Sequence, residues 1–220
     1  MTRLATKIVL DDTLKELFFS FLLSEKYQVP NLSEEQEKLI LHISEQFLFS
    51  GFILTSCSFN SSHKSLVDQI RKQRRTQLVR QMLAKNDLKN IAHNLNDKCI
   101  EHVFLKGAVL NADGIYSSGI RFSRDVDILV RLDLLDQAYD VLKTLGFRYL
   151  NPKTQDSTKY HHFGQHLPKM INENNTKLEL HWRVTRSFEL KDCPLAEKML
   201  ESRRVSKVNP HVCCPKLEMM

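Results

Sequence analysis

The residues of this sequence best placed to do chemistry are Asp125 and Asp127, in the run Arg121-Phe122-Ser123-Arg124-Asp125-Val126-Asp127-Ile128-Leu129-Val130. On an extended strand, residues i and i+2 face the same way, so the two carboxylates project together while Val126 and Ile128 enter a core. Carboxylates side by side repel each other unless a cation lies between them. A hard divalent ion resolves that conflict, because it prefers oxygen ligands and keeps positions open for phosphates. The spacing alone also allows a plainer reading, two solvent-facing aspartates on an edge strand.

Two further segments bear on the choice. Phe104-Leu105-Lys106-Gly107-Ala108 reads as a strand that ends in glycine and leads toward a helix. Backbone N–H groups can approach a triphosphate at such a turn with no Cβ in the way, although a lone glycine after a strand is usually only a turn. Lys177-Leu178-Glu179-Leu180-His181-Trp182-Arg183 alternates, placing Glu179 and His181 on one strand face and Leu178, Leu180 and Trp182 on the other. Glu179 from a neighbouring strand would complete a metal-binding triad with Asp125 and Asp127; the alternative is a surface residue paired with a lysine. His161, His162 and His166 cluster on the preceding segment and are read as hydrogen-bonded surface or site-wall residues, with transition-metal binding the minor alternative.

The elements that must position these residues follow from periodicity. Asp11 or Asp12 can cap a first helix that ends before Pro30. Ser33 and Gln36 form a capping box for a second, bearing Leu39, Ile40, Ile43, Phe47 and Leu48 and closed by Gly51. A third runs from about Ser65 to Asn94, with Leu66, Ile70, Leu78, Met82 and Leu83 on one side. Its other side carries Arg71, Lys72, Arg74, Arg75 and Arg80, a solvated face in the first instance and an RNA contact in the second. Beyond residue 98 the texture changes to strands at Cys99–Leu105, Val126–Val130 and Phe147–Leu150. Asp133 is expected to cap a helix that Gly146 stops. A hairpin over Tyr160–Ile171 and Lys177–Val184 turns at Asn172 to Asn175. The expected fold is α+β: an N-terminal helical segment, then a small mixed β-sheet flanked by helices. The expected divisions are a helical region over 1–64, a sheet domain over 65–204 led by the long helix, and a tail over 205–220.

Composition narrows the class. Hydrophobic residues at 42% and only 6 glycines and 6 prolines describe a chain with a real core, not a disordered or fibrous one. The 5 cysteines are scattered without CxxC spacing, which argues against a zinc site or disulfide framework and favours a reducing cytoplasm. The apolar stretch from Leu17 to Leu23 is too short to span a bilayer, so no membrane partner is expected. A net charge of +6 is compatible with nucleotide or RNA partners without selecting either.

Taken jointly, the LKG at 105–107, Arg121 ahead of the DxD, the Gly-Phe at 146–147 and LELHWR at 178–183 resemble the uncharacterised nucleotidyltransferase family of the polymerase-β-like superfamily. The resemblance covers roughly residues 65 to 215. It implies a nucleotidyltransferase-like fold and transfer of a nucleoside monophosphate from an NTP such as ATP to an acceptor hydroxyl, with pyrophosphate released. It assigns Asp125, Asp127 and Glu179 to Mg2+ or Mn2+ and to catalysis. It assigns Lys106, Gly107 and Ala108 to the phosphate-side turn, with Arg121 and Arg124 as charge for the phosphates. In a metal-free protein those arginines could instead pair with the aspartates.

The acceptor stays open among small molecules, proteins and RNA; DNA is not expected. Two departures stand out. Ala108 replaces the serine or glycine usual after the turn glycine, and the chain stops at Pro215 to Met220 as though a helix were opening, so a truncated form is one reading. A degenerate nucleotide- or RNA-binding protein is therefore the alternative to an enzyme, and a transferase acting on tRNA is a third.

Overall fold

The computed structural model describes residues 26–114, 123, 125–152, 164–184 and 194–216. They fall into two compact units that divide in the chain between Gln77 and Leu78. The expected first helix lies almost wholly outside the described residues, as do Arg121, Arg124, His161 and His162.

In the first unit, β1 (Tyr27–Gln28) pairs in parallel with β2 (Cys57–Ser58), with α1 (Glu34–Gln46) and α2 (Ser50–Ser56) between them in sequence. The capping box forms as expected: the Ser33 hydroxyl accepts from the Gln36 N–H at 3.2 Å, and Gln36 Oε1 accepts from the Ser33 N–H at 2.8 Å. Val29, Ile40, Ile53, Cys57, Leu66 and Ile70 make the core here. Gly51 does not close α1; it is buried inside α2. Leu48 takes the left-handed conformation instead, at φ 59, and the Phe49 N–H returns to the Ser44 carbonyl at 2.8 Å. That closing bond ends the helix without a glycine.

Helix α3 (Lys64–Asp97) begins in the first unit and ends in the second. Leu66 and Ile70 are buried as the periodicity predicts, but Met82 is 70% and Leu83 37% exposed. The buried face resumes with Asp87, Leu88, Ile91, Ala92 and Leu95. An apolar stripe marks which side of a helix can pack, not where along its length something packs on it. Arg71, Lys72, Arg75 and Arg80 are exposed and Arg74 is half-buried.

The second unit is built on a five-stranded mixed sheet of order β3-β4-β7-β6-β5. Its strands are β3 (His102–Leu105), β4 (Val126–Val130), β5 (Arg148–Tyr149), β6 (Met170–Ile171) and β7 (Lys177–His181). Only β4 and β7 run parallel; the other neighbours are antiparallel. Between the strands come α4 (Lys106–Ala112) and α5 (Leu135–Thr144); α6 (Pro194–Glu201) and a ribbon of β8 (Arg204–Val205) with β9 (Cys213–Cys214) follow. The fold is thus the expected α+β arrangement of helices and mixed sheet.

Both sheet faces are covered. On one, Phe104, Val126, Ile128, Val130, Leu178 and Leu180 pack with residues of α3, α4 and α5. On the other, Val103, Leu105 and Leu129 pack with Ala196, Met199 and Leu200 of α6. Strand β4 is therefore central and not the edge strand that the plainer reading of the DxD required. Gly146 stops α5 at φ 80, as expected. Asp133, however, lies in a 3₁₀ turn (Leu132–Leu134) and holds the Arg131 guanidinium at 2.8 Å instead of capping a helix. A charge-assisted bond to a neighbouring arginine outcompetes a backbone N–H for that carboxylate.

Two buried carboxylates tie the unit together. Asp87 of α3 accepts from Asn172 Nδ2 and Asn174 Nδ2, each at 2.9 Å, and from the Thr176 hydroxyl. It thereby clamps the β6–β7 turn, where Asn175 sits at φ 59. Asp113, after α4, accepts from the Arg204 guanidinium and from the Lys207 N–H at 3.2 Å. Burial raises the Asp113 carboxyl, but bonds from Arg204, Ser206 and Lys207 outweigh it and hold the group below its usual value.

No helix among the described residues is long and apolar enough to cross a membrane. None of the described cysteines is in a disulfide, and burial pushes the Cys214 thiol up to about 12.

Asp87→Ala, which strips three donors of their shared acceptor, is expected to destabilise the protein by about 2–4 kcal/mol in urea unfolding. Thr176→Val, losing one donor, should cost less. For Asp113 the folded value is the lower one, so its contribution is whole above the unfolded value of 3.8 and lost as pH falls through the folded value. Asp113→Asn should accordingly flatten the acid limb of the urea midpoint below about pH 4.

Candidate metal and phosphate site

The parallel register of β4 and β7 sets Asp127 directly beside Glu179. Because side chains alternate along each strand, His181 shares the Glu179 face, and Asp127 shares the face of Leu129. The site therefore lies on the α6-covered side of the sheet, toward the N-terminal end of β4. Asp127 is only 2% exposed.

Around that buried charge, Lys106 Nζ donates to Asp127 Oδ1 at 2.8 Å, and His181 Nε2 lies 3.0 Å from the same oxygen. Burial acts to raise the Asp127 carboxyl; the bonds from His181 and Lys106 overcome it and hold the group below the ordinary aspartate value. Asp127 is thus kept as an anion. Lys106 itself adopts φ 51, a left-handed conformation costing roughly 1–2 kcal/mol for a residue with a side chain. Strain of this kind persists only where the surroundings fix it.

Asp127, Glu179 and His181 each offer a ligand atom, and these atoms lie within 4.8 Å of one another. Ligands held about 2.0–2.6 Å from a common ion sit no more than roughly 5 Å apart, so the donor set fits a single divalent cation. It joins two carboxylates to one imidazole. Of the three carboxylates expected to act together, Asp127 and Glu179 lie in this group. Asp125 stands outside that group of three: it lies in the bend before β4, half-buried, with Oδ2 2.7 Å from Lys169 Nζ. The same ammonium lies 3.0 Å from Glu179 Oε1, so it bridges the two carboxylates. Burial works against the charged form of Lys169, yet its bonds to Asp125 and Glu179 raise its value above that of an ordinary lysine.

Gly107 lies in the first turn of α4, and a Cβ there would stand 2.6 Å from Ser123 Oγ and 2.9 Å from Ser123 Cβ. The glycine is thus required by the close approach of Ser123, whose hydroxyl donates to the Asp125 carbonyl at 2.7 Å. Ala108 is buried in the same core cluster as Phe104 and Ile128. The His166 ring lies tilted against that of His181, with centroids 4.9 Å apart.

Sequence reasoning had His181 on the right face but did not count it as a ligand; its i+2 relation to Glu179 was the available signal. Lys169 and Ser123 carry no such signal.

Comparison with known families gives a match over residues 53–220 to a family described as uncharacterised nucleotidyltransferase. Among curated proteins and among solved structures nothing matches the chain.

Gly107→Ala should cost about 1–3 kcal/mol through overpacking against Ser123. Adding Ser123→Gly should return most of that loss in thermal unfolding. A double variant no more stable than Gly107→Ala would show that the contact is not what demands the glycine.

Proposed function

Since this chain belongs to the uncharacterised nucleotidyltransferase family of the polymerase-β-like superfamily, we propose that it transfers a nucleoside monophosphate from an NTP to an acceptor hydroxyl. The observation that carries this reading is the convergence of Asp127, Glu179 and His181 on one point of the sheet, with Lys106 and Lys169 beside them.

Asp127, Glu179 and His181 are the residues that would hold a divalent ion, with Asp125 available for a second. Such an ion supplies Lewis-acid charge to the phosphoryl oxygens and to the leaving pyrophosphate. Manganese matches this donor set better than magnesium, because imidazole nitrogen suits first-row transition ions while magnesium favours oxygen alone.

The chain's own groups then divide the work. Asp127, held as an anion by its two partners, supplies fixed negative charge and is a poor proton acceptor. Glu179 faces the same point and takes the proton of the attacking hydroxyl. The hydroxyl oxygen bonds to the α-phosphorus as the bond to pyrophosphate breaks, so the pyrophosphate leaves with the electron pair. Lys106, whose side chain is 63% exposed while its ammonium rests on Asp127, can turn toward the phosphates. Arg121 and Arg124, ahead of β4 in the sequence, add positive charge.

The test is transfer of label from an α-labelled NTP in manganese or magnesium. Asp127→Asn is expected to bring transfer down to background, whereas Asp133→Asn, in the exposed 3₁₀ turn after β4 and paired with Arg131, should leave it intact. Label that persists undiminished in Asp127→Asn rules the reading out. Nucleotide binding with no pyrophosphate released would instead support a non-catalytic binding protein, the reading favoured by Ala108 at the turn.

A further inference from the structure

The Lys169 ammonium touches two carboxylates, at 2.7 Å from Asp125 Oδ2 and 3.0 Å from Glu179 Oε1. Both distances are those of charge-assisted hydrogen bonds. Its partners are mostly shielded, the Asp125 and Glu179 side chains being 27% and 16% exposed. The ammonium therefore stands where a divalent ion drawing on Asp125 and Glu179 would have to stand. Two positive charges cannot share those oxygens at contact distance in a partly buried place, so one excludes the other.

The way Lys169 is held suits a counter-ion that can be removed. Its backbone is fixed, since its carbonyl accepts from the Leu150 N–H at 2.8 Å at the start of β6. Its side chain is a flexible four-carbon stem, one-third exposed, ending in a compact charge. An arginine in the same position would grip the pair with a rigid fork. An anion within reach of the stem can replace the carboxylates as the partner of the ammonium. A polyphosphate arriving with its ions brings that anion.

We propose that Lys169 is an internal counter-ion that closes the Asp125–Glu179 pair to a divalent cation until a polyphosphate draws its ammonium away. The two ion positions are then unequal. The one on Asp127, Glu179 and His181 faces Lys106, whose 63% exposed side chain can swing into solvent to admit metal alone, and the one on Asp125 is filled together with the nucleotide. Lys169 becomes a phosphate-binding residue once displaced. This inference rests on the proposed function above, and it is tested by binding, not by turnover.

The experiment titrates the full chain with Mn2+ alone, following free ion by electron paramagnetic resonance, and then with inorganic tripolyphosphate in Mn2+. Lys169→Gln is expected to take up Mn2+ in the Asp125 position about tenfold more tightly than wild type, and to bind tripolyphosphate about tenfold more weakly. Lys169→Arg keeps the charge and should gain no manganese affinity, which separates loss of charge from loss of fold. Unchanged or weaker manganese binding in Lys169→Gln overturns the proposal, and so does an unchanged tripolyphosphate affinity. The two levels of failure are distinct. A wild type that takes up no Mn2+ overturns the ion site and this inference together. Uptake that is lost in Asp127→Asn but no tighter in Lys169→Gln overturns the counter-ion role alone.

Discussion

Asp127 holds a negative charge on an interior strand of the second unit's sheet, almost out of reach of water. A carboxylate in such a place is stable as an anion only if positive groups stand against it in good geometry. The structure answers with Lys106 and His181 on one oxygen. These come from different elements, the β3–α4 junction and the end of β7. One buried charge thus couples the register of three strands to the placement of the site. Were β7 to slip by one residue along β4, Glu179 and His181 would turn to the apolar face and Leu178 and Leu180 to the charged one.

That register is protected from a distance. Asp87 of α3 clamps the turn that feeds β7, so the helix fixes where the strand begins. On the other side, the fit of Ser123 against Gly107 fixes how the chain enters β4 and therefore where Asp125 lies. The strained backbone of Lys106 sits between these two constraints. The site residues themselves are few. Much of the surrounding structure serves to hold two parallel strands in one alignment.

Those features that depend on local spacing were readable in the sequence. The capping box at Ser33, the stop at Gly146 and the alternation through Glu179 and His181 all express the period of a helix or a strand. The mixed sheet flanked by helices followed from the order of those patterns. What escaped depends on partners far along the chain. Lys169 meets Asp125 across 44 residues, and nothing in the run before Met170 marks that lysine. Met82 and Leu83 have the right helical spacing for a core, yet periodicity does not say whether a neighbour covers them. Asp133 was read as a cap because backbone amides are always nearby, whereas its arginine partner two residues back was the stronger competitor.

The charge balance of the site explains why lysines and not hydrophobic residues surround it. Among the described residues and apart from His181, Asp125, Asp127 and Glu179 contribute three negative charges and Lys106 and Lys169 two positive ones, leaving one negative in excess. A divalent ion added to that set without any lysine leaving would reverse the sign. A positively charged cleft with two flexible ammonium groups attracts a polyanion far more strongly than the ion-free cleft does. Each phosphate oxygen that arrives then gives an ammonium somewhere to go, which frees carboxylate oxygens for cations. Cation and polyphosphate would in this way favour each other's binding through shared charge, without any movement of the sheet.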